Sequence, residues 1–174
     1  MIVGDISRFA IEFELDQGKL TDAEFAPWLF GRIRFWCCGE QIGRYDPDTT
    51  IRDVVVEAER FIASREKRHD DILAKATRHE IVHSIINALY VDSGQADESV
   101  RADAERFGPF VVSPEVDVFD PWRILLVEGD HVARLIWYLK DERVFHECIL
   151  DRGEFELILN RFLSIMYARA EAAP

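Results

Sequence analysis

The segment ATRHEIVHSIINALY, residues 76–90, contains His79-Glu80-Ile81-Val82-His83. Two histidines four apart on a helix share one face and can hold a zinc ion, with the intervening glutamate as the base that activates bound water. Catalytic zinc also needs a third protein ligand and an open position. No H-x-x-G-x-x-H continuation supplies it, because Ile86 stands where the glycine would be and Leu89 where the histidine would be. The third ligand would have to come from Glu98, Asp103 or Glu105, or from His131 or His146. In a chain with 33 acidic residues an available acid carries little information. At about 100° per residue Ile81, Val82, Ile85, Ile86 and Leu89 share one face, with His79 and His83 at its margin. Such histidines are expected to cover the edge of a core, so no catalytic residue, metal or cofactor is expected. A zinc-dependent metallohydrolase is kept as the alternative reading.

Other catalytic patterns are thinner. The chain has no G-x-S-x-G, P-loop or G-x-G-x-x-G motif. Cys148 follows His146 by two residues, which in a strand places both on one face, and the expected arrangement is a buried thiol beside a satisfied histidine.

The elements that position these residues follow from hydrophobic periodicity. In RFAIEFELD, Phe9, Ile11, Phe13 and Leu15 alternate with Ala10, Glu12 and Glu14, the period of a strand with one buried face. GRIRFWCCGEQIGRY places Ile33, Phe35 and Cys37 on one face and turns at Gly39-Glu40. A helix is predicted over IRDVVVEAERFIASREKR, capped by Asp48, Thr49 or Thr50, and another from about His69 to Tyr90. ADESVRADAERFGPF reads as a short helix closed by Gly108 and Pro109. WRILLVEGDHVARLIWYLKD reads as two strands joined at Gly129-Asp130, followed by a third in RVFHECIL. The final GEFELILNRFLSIMYARAEAA is a helix with Phe155, Ile158, Leu159, Phe162 and Met166 as its apolar stripe. The sum is an α+β fold: an antiparallel sheet of N-terminal strands plus a C-terminal meander, with helices packed on it, in one domain over residues 1–174.

Charge restricts the partners. With 33 acidic against 21 basic residues the formal net charge is -12, a field that repels nucleic acid and anionic membranes and favours basic partners. The acids recur in clusters: DPDTTIRD at 46–53, DESVRADAE at 97–105 and EVDVFD at 115–120. No segment approaches the roughly 20 apolar residues of a spanning helix, and no basic, then apolar leader opens the chain. Three cysteines make no disulfide framework and lack paired C-x-x-C spacing, which reads as free thiols in a reducing cytoplasm.

The opening MIVGDISRFAIEFEL resembles the start of the immunity 42 family, antidote proteins of bacterial polymorphic toxin and contact-dependent growth inhibition systems. Met1 to Asp5 and Phe9 to Glu12 carry the likeness, and VARLIWYL, ECIL and EFELIL extend it into the C-terminal third. Members often have Pro after the Gly-Asp pair, where this chain has Ile6. Residues 46–115 carry no comparable likeness, and no H-E-x-x-H belongs to the family pattern. The resemblance implies a non-enzymatic protein that binds a cognate toxin domain in the cytoplasm, expected to be a basic nuclease, with no direct contact to nucleic acid or membrane.

An acidic inhibitor of a basic enzyme should combine carboxylates with aromatic anchors. SPEVDVFDPW at 113–122 has that composition in Glu115, Asp117, Phe119, Asp120 and Trp122 and is the first candidate surface. The second is the acidic helix face with Asp97, Glu98, Asp103 and Glu105. A third reading is an acidic interaction module with no toxin partner.

Overall fold

The computed structural model describes residues 1–142 and 144–171. The period-two segment forms β2 (Phe9–Leu15), which pairs antiparallel with β1 (Ile2–Gly4) on one side and β3 (Phe30–Cys37) on the other. Cys38 and Gly39, with φ of 49° and 83°, form the two-residue turn into β4 (Glu40–Ile42), so Glu40 belongs to the strand rather than to the turn. A short β5 (Thr49–Thr50) pairs with the start of β3. A one-turn helix α1 (Gln17–Leu20) begins at Asp16, whose side chain accepts from the backbone N–H groups of Gly18 and Lys19.

The C-terminal strands β6 (Trp122–Glu128), β7 (Val132–Leu139) and β8 (His146–Asp151) form a separate antiparallel sheet in the order β6-β7-β8. Two sheets therefore replace the single sheet expected. VARLIWYL gives the physical reason, because it is apolar on both faces and a strand of that kind must be covered twice. Ala133, Leu135 and Trp137 face a core shared with the first sheet, with α2 (Ile51–Ala63) and with α6 (Glu154–Glu171). Ile136 and Tyr138 face a second core under α3 (Asp71–Lys75) and α4 (Arg78–Tyr90). The periodicity of α6 is realised in full, since Phe155, Ile158, Leu159, Phe162 and Met166 are all buried. Residues 172 and 173 of that predicted helix, and Arg143 of the third predicted strand, lie outside the described residues.

The helix expected from His69 to Tyr90 is divided. Thr77 adopts extended backbone and caps α4, so α3 and α4 are separate. A helix α5 (Asp97–Phe107) then packs against α4, with Asp97 and Glu98 in its first turn, where carboxylates suit the helix dipole.

Two features were not legible from pattern. Cys38 and Cys148 are joined by a disulfide, with Cα atoms 5.8 Å apart, and Cys37 alone is free and buried. The expectation of three free thiols is thus corrected. The hairpin turn after β3 presents Cys38 to β8, which tandem spacing along the chain could not reveal. Three charges are buried, Arg68 ahead of α3, Glu128 at the end of β6 and Glu156 in α6. Arg68 pairs with Glu156 and donates to the Phe61 carbonyl at 2.6 Å and to Ser64 Oγ at 3.0 Å. Burial pushes the Glu128 carboxyl above its ordinary range and the Arg68 guanidinium below its own.

Candidate functional site

Two loops distant in sequence are clamped together at one end of the first sheet. Arg44 donates its backbone N–H to the Val118 carbonyl at 2.9 Å, and its Nη2 donates to the Asp117 carbonyl at 3.0 Å. Gly43 permits the approach: its φ is 97°, and a Cβ there would lie 2.8 Å from Phe119 Cε1. Phe119 in turn packs on Phe35 with ring centroids 4.6 Å apart.

The clamp forms a cleft of about 420 Å³ between the 44–53 and 115–118 segments. Five exposed carboxylates line it, those of Asp46, Asp48, Asp53, Glu115 and Asp117, against the single cation Arg44. Arg44 is itself engaged with Asp46 at 3.1 Å. A second cleft of about 350 Å³ shares Pro47 and Asp48 with the first and adds Glu14 and Asp16 against Arg32. The acid lining is thus continuous across both. Glu57, one turn along α2 from Asp53, is pushed above the usual carboxylate range mainly by burial, with the charge of Glu115 adding to the effect. So many carboxylates around few cations create a negative potential that a cationic partner would relieve.

Glu115 and Asp117, predicted from sequence, stand in the cleft wall. Asp120 is exposed, but it lies in the turn that feeds β6 and outside the lining. Phe119 corrects the expectation of an exposed anchor. Its ring is fully buried, because Gly43 leaves a recess that an apolar side chain fills. Trp122 is half-buried at the start of β6, where it packs against the main core. Among the α5 acids Asp97, Glu98 and Glu105 are exposed, while Asp103 is half-buried and accepts from Gln95 Nε2 at 2.9 Å. None of the four lines the cleft.

The 46–53 acids are visible as a cluster in the sequence, but only the tertiary clamp places them opposite 115–117. Trp28, which no local pattern marks, is 44% exposed before β3, with the Arg52 guanidinium 5.2 Å from its ring centroid. Arg52 adjoins Asp53, so this aromatic borders the acidic segment.

The histidine motif has a different explanation. Glu80 closes a capping box: its Oε2 accepts from the Thr77 backbone N–H at 2.7 Å and from Thr77 Oγ1 at 2.8 Å. Those bonds hold the Glu80 carboxyl below the ordinary range, the reverse of what a general base near neutral pH requires. His79 stacks edge-on against Phe145 with centroids 5.1 Å apart, and His83 is in contact with Asn87. Among the described residues no third His, Cys, Asp or Glu completes a metal cluster with the pair. His146 bonds Glu40 at 2.8 Å and stacks on Trp137, while Cys148 is committed to its disulfide.

The family model described as Immunity protein 42 matches residues 1–165, and the chain belongs to that family. Among solved structures the chain is similar to the crystal structure of CdiI from Burkholderia dolosa AUO158, at a TM-score of 0.70 and 22% identity, covering 94% of this chain and 99% of that one. That likeness is one of fold. No curated protein matches the chain. Among the described residues no helix is long and apolar enough to cross a membrane.

Proposed function

We propose that this protein is a cytoplasmic immunity protein of a contact-dependent growth inhibition or related system, and that it neutralises a cognate toxin domain by stoichiometric, non-enzymatic binding through its acid-lined cleft, as one domain over the whole chain. Membership of the Immunity protein 42 family supports the role. The observation that carries the site is the convergence of Asp46, Asp48, Asp53, Glu115 and Asp117, five carboxylates against two cations already engaged, Arg44 with Asp46 and Lys19 with Asp48. A basic nuclease toxin fits this chemistry. Its phosphate-binding surface is cationic, and carboxylates can occupy it in place of phosphates while complementary fields speed the encounter. Trp28 supplies an exposed aromatic beside the acids, the residue class that dominates binding energy at interfaces.

The reading is tested by protection. Cells expressing the toxin domain should survive with the wild-type protein and with His79→Ala/His83→Ala, and should lose protection with Asp53→Lys/Asp117→Lys. Protection that survives the charge reversals but fails with the histidine pair would overturn the assignment of the cleft.

A further inference from the structure

On the face of the molecule that carries α3, three side chains from two distant segments converge. His69 Nε2 lies 3.6 Å from Asp71 Oδ2 and 3.8 Å from Asp130 Oδ1, and one donor atom from each residue falls within 4.8 Å of the other two. We propose that His69, Asp71 and Asp130 form a binding site for a divalent transition-metal cation of the zinc type, independent of the toxin-binding role and of the H-E-x-x-H segment.

The backbone holds the two segments in place before any ion arrives. His69 forms a parallel bridge with Glu128, and the Asp70 N–H donates to the Glu128 carbonyl at 2.9 Å. The Asp130 N–H donates to Asp71 Oδ1 at 3.0 Å, which occupies one carboxylate oxygen and leaves Oδ2 turned toward the imidazole. Outer bonds of this kind orient a ligand and raise metal affinity. The loop between β6 and β7 is closed by the Gly129 N–H donating to the Val132 carbonyl at 2.8 Å, so Asp130 projects from a defined turn. Zinc is bound at about 2.0–2.2 Å by nitrogen and carboxylate oxygen, which sets a tetrahedral donor–donor edge of about 3.4 Å. The two edges from His69, at 3.6 and 3.8 Å, are within a few tenths of an ångström of it, and the two carboxylates, within 4.8 Å of each other, close the third on binding. One imidazole nitrogen with two carboxylate oxygens favours zinc-type ions over calcium or magnesium, which prefer oxygen alone.

Asp130 is 66% exposed, so coordination positions beyond these three face solvent and admit water. The ion would tie the segment that opens α3 to the β6–β7 turn, adding to the backbone bridge at Glu128 and the Asp130 N–H to Asp71 bond that already join them.

The test is a titration of the metal-stripped full chain with Zn²⁺ under non-reducing conditions, which keep Cys38 and Cys148 tied. One site is expected, with a rise in Tm that saturates with it. His69→Ala should weaken binding at least about tenfold, the low end of what loss of even an outer-sphere partner costs. Asp130→Asn, a change at an exposed position that leaves the fold intact, should do the same, whereas His79→Ala/His83→Ala should leave binding unchanged. Calcium or magnesium in millimolar excess should not displace zinc. The proposal is overturned if zinc does not bind, if binding disappears with the His79/His83 variant and survives His69→Ala and Asp130→Asn, or if calcium or magnesium competes on equal terms.

Discussion

Cys38 and Cys148, 110 residues apart, are linked across the gap between the two sheets, from the turn after β3 to the middle strand position of β8. The bond closes a loop that contains most of the helical layer, so its main effect is on the unfolded chain, whose freedom it restricts. Reduction, or Cys148→Ser, should lower the unfolding free energy by about 2–5 kcal/mol. Urea denaturation with and without dithiothreitol checks this. Cys37 should not exchange into the bond, because burial raises its thiol pKa and suppresses the thiolate. Alkylation by iodoacetamide in the native state should therefore spare Cys37.

The buried pair of Arg68 with Glu156 predicts an asymmetry. Glu156→Ala leaves a guanidinium that is 0% exposed without its carboxylate and should cost about 3–5 kcal/mol. Replacing both residues together, as Arg68→Met/Glu156→Leu, should recover much of that loss, since a well-packed apolar pair avoids the desolvation of both charges. Chemical denaturation of the single and double variants decides the matter. If the double variant is as unstable as the single, the pair is not acting as an isolated ion pair.

Thr77→Ala removes one half of the capping box and should destabilise the protein by about 1 kcal/mol. Glu80→Gln should lower Tm slightly and leave protection against the toxin intact, because its carboxylate is used to start α4. A loss of function in Glu80→Gln with stability retained would restore the hydrolase reading.

On the outer face of the first sheet Glu12 accepts from Arg34 Nε at 2.8 Å and from Trp36 Nε1 at 2.7 Å. The Arg34 bond, reinforced by Trp36, holds the Glu12 carboxyl below its ordinary range. The folded pKa lies under the unfolded one, so this pairing stabilises the protein fully above the ordinary carboxylate pKa and is lost as pH falls through the depressed value. Glu12→Gln should flatten the acid limb of the stability curve between those two pH values and leave that slope unchanged above them. Thermal unfolding from pH 3 to 7 reads the difference.

Much of the architecture was legible because it is local. The alternation of Phe9 to Leu15 and the stripe from Phe155 to Met166 each contain their own period, and both sit as expected. What failed to show depends on contacts far apart in sequence. Nothing near Cys38 marks Cys148 as its partner, and nothing near Phe119 shows that Gly43 opens a recess for it. Charged residues such as Arg68 and Glu128 read as surface in any local window, yet each is buried, held by partners contributed by other elements. The acidic cleft lies between these cases. Its carboxylates were visible as clusters in the sequence, but the Arg44 clamp that unites 46–53 with 115–117 is tertiary.

The central claim is most directly tested by titrating this protein against its cognate toxin domain, at low and at high salt. The account predicts 1:1 binding in the nanomolar range, with association that slows as salt rises and slows likewise in Asp53→Lys/Asp117→Lys. Tight binding that ignores both salt and these substitutions would contradict the acidic cleft as the binding surface, and absence of binding would contradict the immunity role toward that toxin.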